Sequence, residues 1–99
     1  MDEHIMTVIS AVVPQDREAD LVAAFEDLLH QPLPDGLLQT QLLRGAEGRW
    51  RVESLWRDRA ALEAMRAATD APAAPALFRG VGAQPTLAVF EVVAEGAAV

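Results

Sequence analysis

Three observations in the sequence predict an α+β fold in which strands and helices follow one another as β-α-β-β-α-β. Four runs of strand length and strand composition stand at residues 5–13, 37–44, 49–57 and 86–93. Apolar residues recur at helical spacing between the first and second runs, and again between the third and fourth. The two middle runs are separated only by Gly45-Ala46-Glu47-Gly48, which is hairpin length. With 99 residues, 52% of them hydrophobic, residues 1–99 read as a single domain. This element order is that of the ferredoxin-like unit, a four-stranded antiparallel sheet with its helices on one face.

Each element has a local cause. Residues 5–13 (IMTVISAVV) are short and rich in Val and Ile, which favours a buried strand, and Pro14 ends it. Asp16 is the expected cap of a helix running to about His30, with Glu18 and Asp20 near its positive end. Leu21, Val22, Phe25, Leu28 and Leu29 form the apolar stripe of that helix. Pro34-Asp35-Gly36 is a turn, because proline fixes φ and glycine frees it. After the hairpin, Asp58 is positioned to cap a helix in which Leu62, Met65 and Thr69 share a face, while Arg59, Glu63 and Arg66 stay solvated and Arg59 and Glu63 lie four apart. Pro75 opens one short helical turn carrying Leu77 and Phe78. Gly80, Gly82 and Pro85 break the chain before the last strand.

Composition excludes several chemistries. The chain contains no Cys and no Tyr, and its eight basic residues are all Arg. Cysteine nucleophiles, thiolate metal sites, lysine Schiff bases and tyrosyl acids are therefore ruled out. His4 and His30, far apart in sequence, have no ligand-like spacing with acids, so no metal site is expected. The formal net charge of -7 argues against nucleic acid as a partner. That charge is concentrated in residues 1–43, whereas Arg44, Arg49, Arg51, Arg57, Arg59 and Arg66 crowd the middle, with Glu47, Glu53, Asp58 and Glu63 as expected ion-pair partners. The acidic start and the lack of any apolar run of ~20 residues predict a cytoplasmic protein without a membrane span.

The sheet poses a covering problem. In the first strand Ile5, Thr7, Ile9, Ala11 and Val13 alternate with Met6, Val8, Ser10 and Val12, so both faces are apolar. In the last, Leu87, Val89 and Val93 alternate with Ala88, Phe90 and Val92 in the same way. Two helices cover one face only, and an antiparallel sheet with a wet face would alternate apolar with polar. A homodimer with sheet facing sheet is the expected cover.

The stretch from Pro34 to Arg44 (PDGLLQTQLLR), and then Gly48 to Met65 (GRWRVESLWRDRAALEAM), resembles the antibiotic biosynthesis monooxygenase family of the dimeric α/β-barrel superfamily. In that family a hairpin strand ends in tryptophan and a short polar step leads into a helix with an Ala-Leu-Glu-Ala-like start. Trp56, Asp58 and Leu62 match this pattern. The resemblance implies a dimeric α/β barrel, a ligand pocket inside each subunit between sheet and helices, and cofactor-free oxygenation of an aromatic polyketide or quinol. Polyketide cyclisation, or a non-catalytic ligand-binding or dimerisation role on the same scaffold, are the alternatives. Many relatives carry a histidine where this chain has Met65, and heme-degrading relatives need one that falls near Pro75. The resemblance therefore implies no heme and no other cofactor.

The candidate ligand-binding residues are Trp56, Ser54, Met65, Phe78 and Ser10. Trp50, Val52, Ser54 and Trp56 share one strand face, which can bring an indole and a hydroxyl to one cavity, or commit either tryptophan to plain packing. Met65 and Phe78 would supply apolar walls. Ser10, Gln39 and Thr40 are polar positions within strands that satisfy backbone groups or meet a ligand. Arg57 and Arg79 are candidate partners for a phenolate oxygen. No residue is assigned as the catalytic base: Glu53 and Glu91, both inside strands, are expected to pair with neighbouring arginines.

Overall fold

A computed structural model describes residues 3–97. Strand β1 (Ile5–Val12) leads through a 3-10 turn at Gln15–Arg17 into helix α1 (Glu18–Leu29). Strands β2 (Leu37–Arg44) and β3 (Arg49–Trp56) form the hairpin, followed by helices α2 (Arg59–Ala68) and α3 (Ala73–Gly80) and strand β4 (Thr86–Glu91). All strand pairs are antiparallel, in the order β2-β3-β1-β4, which is the ferredoxin-like arrangement. Among the described residues no helix is long and apolar enough to cross a membrane.

The pleat sorts β1 as its alternation predicts. Ile5, Thr7, Ile9 and Ala11 are buried, whereas Met6, Val8 and Ser10 on the opposite face are half-buried and Val12 is exposed. The buried side chains gather into two clusters. The larger joins Ile9, Val13, Val52 and Trp50 of the sheet region to Leu21 and Phe25 of α1 and Phe78 of α3. The smaller joins Ile5 and Trp56 to Ala61 and Leu62 of α2. Among the described residues no helix packs on the face bearing Met6, Leu55 and Phe90, which are register neighbours across β3, β1 and β4, and Phe90 is 54% exposed.

Two element starts differ from expectation. Asp16 does not cap α1; it lies in the 3-10 turn, whose first bond runs from the Arg17 N–H to the Pro14 carbonyl. Two tertiary bonds hold the start of α1 instead: the Arg17 guanidinium, which also meets Asp20 locally, donates to the Gly80 carbonyl of α3, and Glu18 accepts from the Trp50 indole at 2.7 Å. Helix α3 begins at Ala73, two residues before Pro75. A proline in the first turn removes an N–H that has no intrahelical acceptor anyway, so it marks the turn without marking its first residue. Asp58 does cap α2, accepting from the Ala61 N–H at 2.8 Å.

The turn before β2 locks the sheet against α2. Gly36 has φ +84°, and a Cβ there would overlap the Ala61 side chain. Its carbonyl accepts from the Arg57 N–H at 2.8 Å, tying the entrance of β2 to the end of β3. A register shift between Leu37 and Gln39 then leaves Thr40 opposite Ser54.

Candidate functional site

Between the sheet and α2 lies a cavity of about 280 Å³. Its floor is a row of hydroxyls. Thr7 is paired in register with Ser54 across β1 and β3, and Ser54 with Thr40 across β3 and β2, so three hydroxyl side chains cross the helix-facing side of the sheet. This row falls in the gap between the two apolar clusters, with Ile5 and Trp56 on one side and Ile9 and Val52 on the other. Leu62, Met65, Arg66 and Thr69 face the space from α2 and its end, at the i, i+3, i+4 and i+7 spacing of one helix face. The segments Pro32–Pro34 and Ala71–Pro75 close the remaining walls.

The hydrogen bonds of the floor leave donors to spare. The Trp56 Nε1–H donates to Thr7 Oγ1 at 3.1 Å, and both side chains are buried. Thr7 has thereby used an acceptor site and keeps its own O–H. Thr40 and Ser54 share one bond at 2.9 Å, so whichever of the two accepts has its own proton free. At the end of α2, Thr69 Oγ1 accepts from the Ala71 N–H. Among the lining residues Arg66 alone carries an ionisable side chain. The cavity thus combines hydroxyl donors on its floor with apolar walls, and Arg66 on its rim is held by Glu63 outside the lining.

Of the sequence candidates, Trp56, Ser54 and Met65 line this cavity. Phe78 does not: it is fully buried in the larger cluster, on the side of α3 that meets α1 and β1. Ser10 does not either, because its odd offset from Thr7 turns it to the uncovered face. There it borders a wider, open groove with Val12, Leu43, Arg49, Arg51 and Thr86. Trp50 is core: its indole bonds Glu18 and the Arg44 guanidinium sits 4.8 Å from the ring centroid. Thr40 lines the cavity and Gln39 is exposed on the other side of the pleat.

Arg57 and Arg79 are exposed and outside the lining, Arg57 lying 3.5 Å from Asp58. Glu53 pairs with Arg51 at 3.2 Å and Glu91 with Arg59 at 3.6 Å, both away from the cavity. Glu63 pairs with Arg66 rather than Arg59. Thr7 and Arg66 are the functional candidates that sequence reasoning missed. The only signal for Thr7 was a hydroxyl interrupting an apolar strand face, and for Arg66 its place one turn after Leu62.

A heme does not fit these residues. Heme iron is held by His, Cys, Tyr or a Met paired with His, and the cavity lining contains only Met65 of these types. His4 lies beside Glu95 and His30 caps the exposed end of α1. Among the described residues no group of three His, Cys, Asp or Glu side chains is placed to hold a metal ion.

Comparison with known proteins places this geometry in context. The family described as antibiotic biosynthesis monooxygenase matches residues 4–75. No curated protein matches the chain. Among solved structures, the heme-degrading protein MhuD of Mycobacterium tuberculosis, in a heme-free form, is 26% identical with a TM-score of 0.74, covering 99% of this chain and 100% of that one. The same protein with two hemes bound in its active site is 25% identical with a TM-score of 0.69, covering 94% and 99%. SnoaB, a cofactor-independent oxygenase of Streptomyces nogalater, is 18% identical with a TM-score of 0.70, covering 94% and 96%.

Proposed function

The chain belongs to the antibiotic biosynthesis monooxygenase family, and from that membership we propose that it is a cofactor-independent monooxygenase acting on an aromatic polyketide or quinol. The observation that carries the reading is the cavity between sheet and α2, with its apolar walls and its donor-rich floor of Thr7, Ser54 and Thr40. In such a reaction the ionised substrate supplies the electrons. A ring CH2 and O2 become C=O and H2O, one oxygen atom entering the carbon and the other leaving with both hydrogens. The protein's share is to hold the ring, stabilise negative charge on its oxygens and keep water out. Trp56 and Met65 flank the ring, and the free hydroxyl protons of the floor face its oxygens.

A second reading, a non-catalytic ligand-binding module, draws on one feature. No carboxylate, imidazole or amine lines the cavity, so no general base stands beside a bound ring. Cyclisation of a polyketide chain would use the same cavity without oxygen. Incubation with hydroxyanthrones and hydroquinones in an oxygen electrode tests all three. Oxygen uptake with quinone formation, lost in Ser54→Leu, supports the monooxygenase. Turnover that persists without oxygen identifies a cyclase, and tight binding without turnover identifies a binding module.

The uncovered sheet face fits a homodimer. Met6, Leu55 and Phe90 form an apolar row across it, and a second copy of the same sheet is a self-complementary cover. The sheet faces would then meet as a dimeric α/β barrel, leaving one cavity in each subunit.

A further inference from the structure

We infer that the cavity selects apolar molecules carrying one anionic oxygen group, and that Arg66 is the residue that selects them. The inference rests on the ligand-binding reading of the cavity and adds the charge class of the ligand. Arg66 lies on the cavity wall, one turn beyond Leu62 and beside Met65, with its side chain 34% exposed. Every other lining residue is apolar or neutral, so a bound anion meets one cation and no carboxylate.

The guanidinium already has a partner, but a weak one. Glu63 lies outside the lining, its side chain is 54% exposed, and its carboxylate is 3.3 Å from Arg66 Nη1. An exposed pair three residues apart on a helix is worth roughly a factor of two in an equilibrium. A charge-assisted hydrogen bond to a ligand shielded by apolar walls is worth a factor of about ten or more. A ligand anion therefore displaces Glu63, or shares the five-donor fork with it. The field of the whole chain works against this preference, since a net charge of -7 repels anions. Selection of an anion must then come from the local cation.

Two fluorescent probes of similar ring size separate the effects: the sulfonate 1-anilinonaphthalene-8-sulfonate and the uncharged N-phenyl-1-naphthylamine. In Arg66→Gln, affinity for the sulfonate is expected to fall about tenfold while that for the neutral dye changes less than twofold. Arg66→Lys keeps the charge and retains most of the sulfonate affinity. Glu63→Gln removes the competitor and raises it about twofold. Thermal melts of each variant report that the fold is kept. Sulfonate binding unchanged in Arg66→Gln overturns the inference. Wild type that takes the neutral dye but not the sulfonate also overturns it, while the cavity stands as a ligand site. If wild type takes neither dye, the ligand-binding reading fails and this inference fails with it.

Discussion

Replacing Thr7 by Val tests whether the buried indole of Trp56 depends on the hydroxyl floor. The substitution keeps the branched shape and deletes the acceptor that lies 3.1 Å from Trp56 Nε1. A buried N–H left without a partner destabilises by about 1–3 kcal/mol, and the extra methyl recovers about 0.8 kcal/mol of apolar burial. The expected net loss lies between about 0.2 and 2.2 kcal/mol, which in a domain of this size lowers the melting temperature by roughly 1–15 °C. Urea unfolding at fixed protein concentration measures it, because any self-association would add a concentration term. Trp56→Phe removes the donor instead, and the double variant removes both. Since Thr7→Val then has no stranded N–H to expose, the double variant should be more stable than the two single losses predict, by about 1 kcal/mol. Strict additivity, or a Thr7→Val variant as stable as the wild type or more so, would refute the bond as a structural element.

Four further outcomes follow from the geometry. Gly36→Ala forces a side chain into a left-handed turn and onto Ala61, and is expected to lose about 3 kcal/mol or more in thermal unfolding. Asp58→Ala frees the Ala61 N–H at the start of α2 and should lose about 1 kcal/mol, most of it restored by Asp58→Ser. Phe90→Asp puts a charge in the apolar row of the uncovered face; light scattering should show a dimer for the wild type and a monomer for the variant, and a monomeric wild type at micromolar concentration would reject the sheet-to-sheet dimer. Because no ionisable base lines the cavity, the pH profile of turnover should follow the substrate's ionisation and move to lower pH with a more acidic quinol. A profile fixed across substrates would mean that a protein group takes the proton.

The fold was legible where local chemistry and tertiary structure ask for the same thing. The Val and Ile of β1, the Asp58 cap and the proline-glycine turn at Gly36 each act within a few residues, and each produced the expected element. Asp16 failed as a cap because the start of α1 is set from a distance. Arg17 reaches α3, and Glu18 reaches the Trp50 indole of β3, so the helix begins where those bonds can form. Nothing adjacent to Asp16 announces this. The charge pattern was legible only in outline: Arg51, Arg57, Arg59 and Arg66 meet acids while Arg44 lies over the Trp50 ring, and Glu63 takes Arg66 and leaves Arg59 to Glu91 on the edge strand β4.

The site was half legible for a similar reason. Period-two alternation identifies Trp56 and Ser54 as sharing a face, and helical spacing adds Met65, but neither rule says which apolar side chains meet a cavity and which fill the core. Phe78 and Met65 look alike in sequence; contact with α1 commits the first to the core, and the gap beneath α2 leaves the second on a wall. Register supplies the missing step. Thr7 interrupts the sequence Ile5, Ile9 and Ser54 interrupts Trp56, Val52, two unrelated interruptions until β1 and β3 pair and bring them together, with Thr40 joining from β2. A single hydroxyl on a buried face can be satisfied by a neighbour, as Thr7 is by the indole. Three in a row with one mutual bond, and with the indole as a further donor, leave two O–H groups without a side-chain acceptor, and closing an apolar helix over them would strand those protons in the core. A sheet that carries such a row keeps its two apolar clusters apart and, on the proposed ligand-binding reading, leaves the space between them to a molecule that brings its own oxygens.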